Sequence, residues 1–307
     1  MWQAKVIAHS VSSGGRKIIT GEFVYPRMIH SEMMTHRMLS KNAASSRAIP
    51  VEKVIKMVRE NPATPIHWGK NQPGMQAHEE LSGDSLNWTV SEWMDAANDA
   101  ANHAEKMHLY GAHKQVVNRI LEPFQWMKTV VTGTEWENVF WLRDHEDADP
   151  TIAHLIKMFK RSVEESIPVY LGSGDWHVPY FFDGWWKRDQ DYGYSLEDAI
   201  KISMSCCAQT SFRTSDDTIE KANRVVSRLN LGTDLNKPVH ASPSEHQATP
   251  MLPSCPFGNG GQGTNLQGLT CTWQDGITAY HKELGFMSGN FSGFIQNRQL
   301  IKGNTKW

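Results

Sequence analysis

Between Lys17 and Pro26 the chain reads KIITGEFVYP: apolar and polar residues alternate, β-branched and aromatic side chains dominate, and a proline closes the run. That pattern is a half-buried strand ending near Tyr25. A strand is not stable alone, so the chain must build a sheet around it. The segment EPFQWMKTVVTG, ending at Gly133, is the second strand candidate.

Helical signals surround these strands. Pro26 suits the first turn of a helix PRMIHSEMMTHRMLS with Ile29, Met33 and Met34 turned inward, and the Ser/Ala run after it reads as a loop. Pro50 opens PVEKVIKMVREN, striped by Val51, Ile55 and Val58. Residues 60–85, rich in Pro, Gly and Asn, read as an irregular connection. An alanine-rich helix is expected from Ser91 to Leu109, closed by Gly111, with a shorter one over AHKQVVNRIL. Asp149 and Pro150 are the N-cap and first residue of PTIAHLIKMFKRSVEES, and Ser195 with Asp198 forms a capping box for LEDAIKISMSCCA. DDTIEKANRVVSRL is a further helix, and the last fifty residues, FGNGGQG among them, read as loops with short helices. With no internal repeat or low-complexity linker, this is an α+β chain read as one unit over residues 1–307.

Composition narrows the function. A net charge of −2 and a pI near 6.7 give no bulk attraction to a nucleic acid polymer. No apolar run approaches the ~20 residues of a membrane helix, and the start MWQAKVIAHSVSSGG lacks the pattern of a signal peptide. The four cysteines are the adjacent Cys206 and Cys207, then Cys255 and Cys271; without a CxxC they support neither a metal site nor a disulfide framework, and a reducing cytoplasm is the expected setting.

Against that neutral background stands THRMLSKNAASSRAIP, Thr35–Pro50, where His36, Arg37, Ser40, Asn42, Ser45, Ser46 and Arg47 crowd together with no carboxylate between Glu32 and Glu52. A solvated helix interleaves acids with its bases. Basic residues at a helix C-terminus are also ordinary capping. Arg47, preceded by two serines beyond the helix, instead suits a cradle for a phosphate.

The spacing of His36, Arg37, Ser40, Asn42, Ser45 and Arg47 resembles the signature RHRxxSxNExSxR of the flavin-dependent thymidylate synthases. Six positions match; Thr35 replaces the first Arg and Ala43 the Glu. GAHKQVVNRILEP is similar to the family's helix that supplies a substrate-binding Arg, which places Arg119 in that role. TGTEWENVFWLRDHEDADPTI resembles the family's stretch running into Leu-Arg, with Asn138 and Arg143 matched, Ala148 and Ile152 in spacing, and Asp149 in place of a Gln. Seen alone, Arg143 equally suits a salt bridge with Asp144 or Glu146. HASPSEH, His240–His246, reads physically as a capping box of Ser242, Pro243 and Glu245, and also resembles the family's segment beside the flavin. CAQTSFR is similar to the family's early strand, with Ser211 in register.

The last two pieces precede the signature in the family and follow it here, so the resemblance is to a circularly permuted or rearranged member of phage or bacterial type. It covers residues 18–59, 100–166 and 203–250 and leaves 60–90, 167–200 and 255–307 as insertions or extensions. Permutation predicts that the segment after His246 approaches the strand EFVYP.

The resemblance implies a thymidylate synthase-like fold, a mixed or antiparallel sheet flanked by helices. It implies methylation of dUMP to dTMP with methylenetetrahydrofolate and NADPH as co-substrates and FAD as cofactor, in a homotetramer with active sites shared between chains. It assigns Arg143, Ser45 and His240 to catalysis; Ser45, Arg47, Arg119, Arg143 and Glu32 to the nucleotide; and His36, Arg37, Asn138, Ser211 and Ser242 to FAD, with no metal. Glu32, where the family often has Gln, suits an amino group, so a dCMP-acting or hydroxymethylating enzyme is the alternative. A non-catalytic flavin- or nucleotide-binding relic is another. The twelve tryptophans, with SGDWHVPYFFDGWW, also allow a carbohydrate-stacking surface.

Overall fold

The computed structural model describes residues 1–211, 216–230, 240–252 and 274–304. Cys255, Cys271 and the FGNGGQG segment lie outside the described residues. In chain order the elements are β1 (Gln3–Ser12), β2 (Lys17–Pro26), α1 (His30–Thr35), β3 (Leu39–Ala43), α2 (Val51–Glu60), α3 (Gly83–Leu109) and α4 (Lys114–Val117). Then come β4 (Trp126–Gly133), α5 (Trp136–Arg143), α6 (Pro150–Glu165), β5 (Val169–Leu171), β6 (Trp176–His177), β7 (Trp185–Trp186), α7 (Leu196–Ala208) and α8 (Ile219–Leu229). The chain continues with β8 (Ala248–Pro250), β9 (Ala279–His281), β10 (Gly285–Ser288), β11 (Phe291–Ser292), β12 (Phe294–Gln296) and α9 (Asn297–Leu300).

The principal sheet has the order β3-β4-β2-β1-β5, antiparallel except for the β1–β5 pair, and two smaller antiparallel sheets accompany it. This is a mixed α+β architecture. The alternation in β2 separates two faces. Ile19, Phe23 and Tyr25 join Leu39, Val131, Trp136, Phe140, Ile152, Leu155, Ile156 and Phe159 in the largest apolar cluster, beneath α5 and α6. Gly21 is required there, because a Cβ would come within 2.5 Å of the Phe159 ring. α6 starts where expected: the Asp149 carboxylate accepts from the amides of Thr151 and Ile152, and Pro150 follows.

The opposite face is polar and just as buried. Thr20 and Thr132 are register partners, as are Thr132 and Ser40, and all three are essentially inaccessible. A hydrogen-bonded chain crosses them: Ser10 Oγ to His177 Nδ1 at 2.9 Å, His177 Nε2 to Thr20 Oγ1 at 2.8 Å, Thr20 to Thr132 at 2.7 Å, and Thr132 to His246 Nδ1 at 2.8 Å. Burial lowers both histidines to about 3, so they are neutral near pH 7. His246 thus bonds Thr132 of β4, whose hydroxyl bonds Thr20 of β2, and Ala248 shares an apolar cluster with Ile18, so this segment comes to β2 ahead of the EFVYP stretch to which permutation points.

Several local expectations are corrected. The helix after Pro26 is a 3-10 turn, Arg27–Ile29, and the short α1; it ends at Thr35, and Leu39 begins an edge strand. Pairing with β4 makes β3 a strand despite residues of low β-propensity. Met34 is exposed. The helix over AHKQVVNRIL shrinks to α4, whereas α3 starts at Gly83, ahead of Ser91. No capping box forms at Ser242: Ser242–Glu245 is a 3-10 turn with no side-chain cap, and Glu245 pairs with Arg298 instead. In CAQTSFR, Cys207 and Ala208 close α7 and Gln209–Ser211 form a turn rather than a strand; Phe212 and Arg213 lie outside the described residues. The tryptophans of the 167–200 segment pack: Trp176 is buried and Trp186 lies against a cluster with Phe181, Ala199 and Ile202.

Candidate functional site

The turn between α1 and β3 positions the first group. His36, the residue after α1, is buried, and its Nε2 accepts from Nε of Arg143, the last residue of α5, at 3.0 Å. The same guanidinium lies 3.4 Å from Thr35 Oγ1 and 3.6 Å from a Glu32 carboxylate oxygen. The expected bridges from Arg143 to Asp144 or Glu146 do not form, since Asp144 is taken by Lys160 at 2.8 Å. Burial, then the charges of Arg143 and Lys41, lowers His36 to about 4, which keeps its ring neutral and able to accept. Burial, with the nearby charge of Asp149, raises the Glu32 carboxyl, against the pull of Arg143.

Glu32 and Arg143 open onto a cleft of ≈ 930 Å³. Its other walls are Asp149 and Pro150 at the start of α6 and the 65–78 segment, including His67, Gln76 and His78. That segment belongs to the insertion the sequence left unexplained. It is fastened across the cleft by Gln76, whose amide donates to the Asp147 carbonyl at 2.8 Å.

The second group lies at the far end of β3. The Ser45 amide donates to Ser211 Oγ at 2.9 Å, joining the signature to the turn after α7. Ser46 Oγ donates to Glu122 Oε1 at 2.9 Å. Arg119 and Arg27 reach the same oxygen, each at 2.9 Å. Arg47 is exposed and, among the described residues, its side chain makes no hydrogen bond or ion pair.

The structure therefore joins Arg143, His36 and Glu32 in one cluster, and links Ser45 to Ser211 and Arg119 to Ser46 in another. It does not bring in the rest. Arg37, Asn138 and Ser242 are exposed, with side chains free of partners among the described residues. His240 is exposed, and only its backbone amide is engaged, with Leu229. None of these four residues, nor Ser211, lines the cleft that Arg143 and Glu32 share.

Three residues escaped the sequence reading. Lys41 Nζ donates to the carbonyls of His36 and Leu39, and burial pushes it down to about 8. It occupies a variable position of the signature, to which spacing is blind. Glu122 and Arg27 are the others; Glu122 stands three residues after Arg119, but its partners Arg27 and Ser46 come from distant segments that no local pattern joins to it.

No family model matches the chain, and no curated protein does. Among solved structures it is similar to a UMP/dUMP methylase, PolB, from Streptomyces cacaoi bound with 5-Br dUMP, at 15% identity over 48% of this chain and 67% of that one, with a TM-score of 0.41. It is also similar to thymidylate synthase X from Helicobacter pylori with FAD and dUMP, at 12% identity over 48% of this chain and 67% of that one, with a TM-score of 0.35. Likeness of this degree assigns neither fold nor activity to the chain.

Proposed function

We propose that the protein methylates a pyrimidine nucleotide at C5 in the manner of a flavin-dependent thymidylate synthase, taking dUMP as substrate and methylenetetrahydrofolate as carbon donor, with FAD and NADPH supplying reducing equivalents. The observation that carries this is that Arg143, bonded to His36, lines a cleft together with Glu32, which unites segments that the signature and the Leu-Arg stretch had singled out separately.

Uracil C5 is a weak nucleophile, and its attack leaves negative charge on the ring. A fixed guanidinium beside the ring carbonyls lowers that cost, most of all where the donor is already oriented. Neutral His36 supplies the orientation by accepting from Arg143 Nε, which leaves further N–H groups of the guanidinium for a ligand. Ser45, Arg47 and Arg119 are the phosphate-binding residues in this reading.

FAD, when bound, supplies the redox step. Arg37, Asn138 and Ser242 have exposed donors, without partners among the described residues, of the kind such a dinucleotide needs, yet none of them lines the cleft that Arg143 and Glu32 share. β3 alone separates the His36 end from the Ser45 end by about 13 Å. A second copy completing each site, in a homotetramer, reconciles both facts. The permuted order and the single catalytic unit over 1–307 belong to the same reading.

Glu32 favours one alternative. A carboxylate beside Arg143 in the cleft is an acceptor for an exocyclic amino group, which suits dCMP as substrate. The test is a product assay with FAD, NADPH, methylenetetrahydrofolate and either dUMP or dCMP, read by mass spectrometry. Methylated dUMP is the expected product. A modified dCMP or a hydroxymethyl product transfers the activity to the alternative, and no product from either nucleotide despite bound flavin sinks both.

A further inference from the structure

The Glu122 carboxylate oxygen that receives Arg27, Arg119 and Ser46 has an unusual setting. Its three donors come from three places: the 3-10 turn after β2, the turn after α4, and the loop after β3. All stand at 2.9 Å, and they converge on Oε1 while Oε2 takes no hydrogen bond among the described residues. Arg27 and Ser46 are largely buried, but the Arg119 side chain is 54% exposed, so the group is closed below and open to solvent above. Arg47, exposed and without a side-chain partner among the described residues, follows Ser46 directly.

A cage of two guanidinium groups and a hydroxyl around one anionic oxygen is a seat for a tetrahedral oxyanion. We infer that Glu122 is the seat's built-in occupant: a nucleotide phosphate binds by displacing the Glu122 carboxylate from Arg27, Arg119 and Ser46, so that this residue sets which anions the site accepts. The inference rests on the phosphate-binding role proposed above for Ser45, Arg47 and Arg119. A phosphate monoester brings up to two charges and three acceptor oxygens where the carboxylate brings one charge. It therefore wins the exchange, while ligands with a single carboxylate do not. A purely structural staple behaves differently, because its removal loosens the chain and strengthens no ligand.

The experiment is calorimetric titration of the wild type, Glu122→Gln and Glu122→Asp with inorganic phosphate, then with dUMP and dCMP. Gln keeps the shape of Glu and loses the charge; Asp keeps the charge but retracts it by one methylene. The expected order of phosphate affinity is wild type, then Asp, then Gln, with Gln tighter than wild type by about tenfold, the scale of one charge-assisted hydrogen bond. Equal or weaker phosphate binding in Gln overturns the inference, and if Gln does not fold, absence of any gain in Asp does so. The two readings fail separately. Nucleotide binding to the wild type with no gain in the variants removes the seat and leaves the proposed function. The expected order for phosphate, with no binding of either nucleotide, keeps the seat and removes the function.

Discussion

At the start of β3 one guanidinium is surrounded by acceptors; at its end one carboxylate is surrounded by donors. Arg143 meets His36, Thr35 and Glu32, whereas Glu122 meets Arg27, Arg119 and Ser46. The first arrangement fixes a cation and leaves part of it facing a deep cleft. The second neutralises one largely buried cation, Arg27, and one exposed cation, Arg119, near Arg47, whose side chain has no partner among the described residues. Fixing a donor raises a rate when charge develops late in a reaction, and gathering cations around an exchangeable anion raises affinity for a ground-state charge. Under the proposed function the two ends of one short strand take different work, the first chemistry and the second binding.

The largest effect that separates them is expected at Arg143. Arg143→Ala should lower kcat by about a hundred- to a thousandfold, the usual loss of a transition-state donor. Arg143→Lys should recover little, since an ammonium cannot reach His36, Thr35 and Glu32 at once. Steady-state kinetics with the nucleotide that the product assay identifies would decide this. A kcat within threefold of wild type would remove chemistry from this end of β3.

Between the two ends lies the buried polar layer, and acid should strike there next. His177 and His246 have folded values near 3 against an ordinary 6.5. Their depressed values mean that the unfolded chain binds more protons below pH 6.5. Stability is therefore intact above that pH and falls as pH drops toward 3, by about 1.4 kcal/mol per pH unit for each fully buried histidine. His9 and His36, both near 4, act in the same direction. Denaturant midpoints at pH 7.5, 6.5 and 5.5 would show the fall begin below 6.5. A flat profile down to pH 5 would mean that the layer tolerates charge.

How much of this was legible in the sequence depended on how local the cause was. β2 was readable because its alternation is the separation of the two faces, and α6 because Asp149 and Pro150 carry their own start signal. β3 was not, since Ser, Lys, Asn and Ala become a strand only through β4, far along the chain. The same limit governs the site. The signature spacing pointed to His36, Ser45 and Arg47, and the Leu-Arg stretch to Arg143. Nothing near Glu122 indicates that Arg27 and Ser46 share its oxygen, and Ser242 shows that a well-formed capping pattern can go unused when its turn is only 3-10.

Arg119→Ala tests the binding end with a smaller effect. Removing an exposed guanidinium that has no role in a charge-developing step should raise KM about tenfold and leave kcat nearly unchanged. A fall in kcat as large as that of Arg143→Ala, with KM unmoved, would erase the distinction between the two ends.

Thr35 offers the finest test, because it bears on only one contact of the Arg143 cluster. Its hydroxyl donates to the Glu32 carbonyl at 2.7 Å and meets the guanidinium at a long 3.4 Å, near solvent. The contact with the buried His36, at 3.0 Å, should dominate the orientation of Arg143. His36→Gln should therefore lower kcat by about tenfold and Thr35→Val by less than about threefold. If Thr35→Val proved as damaging as His36→Gln, the hydroxyl would be a working part of the cluster. The replacement of the signature's first Arg by Thr would then be a functional change, with Thr35 and His36 together setting where Arg143 points.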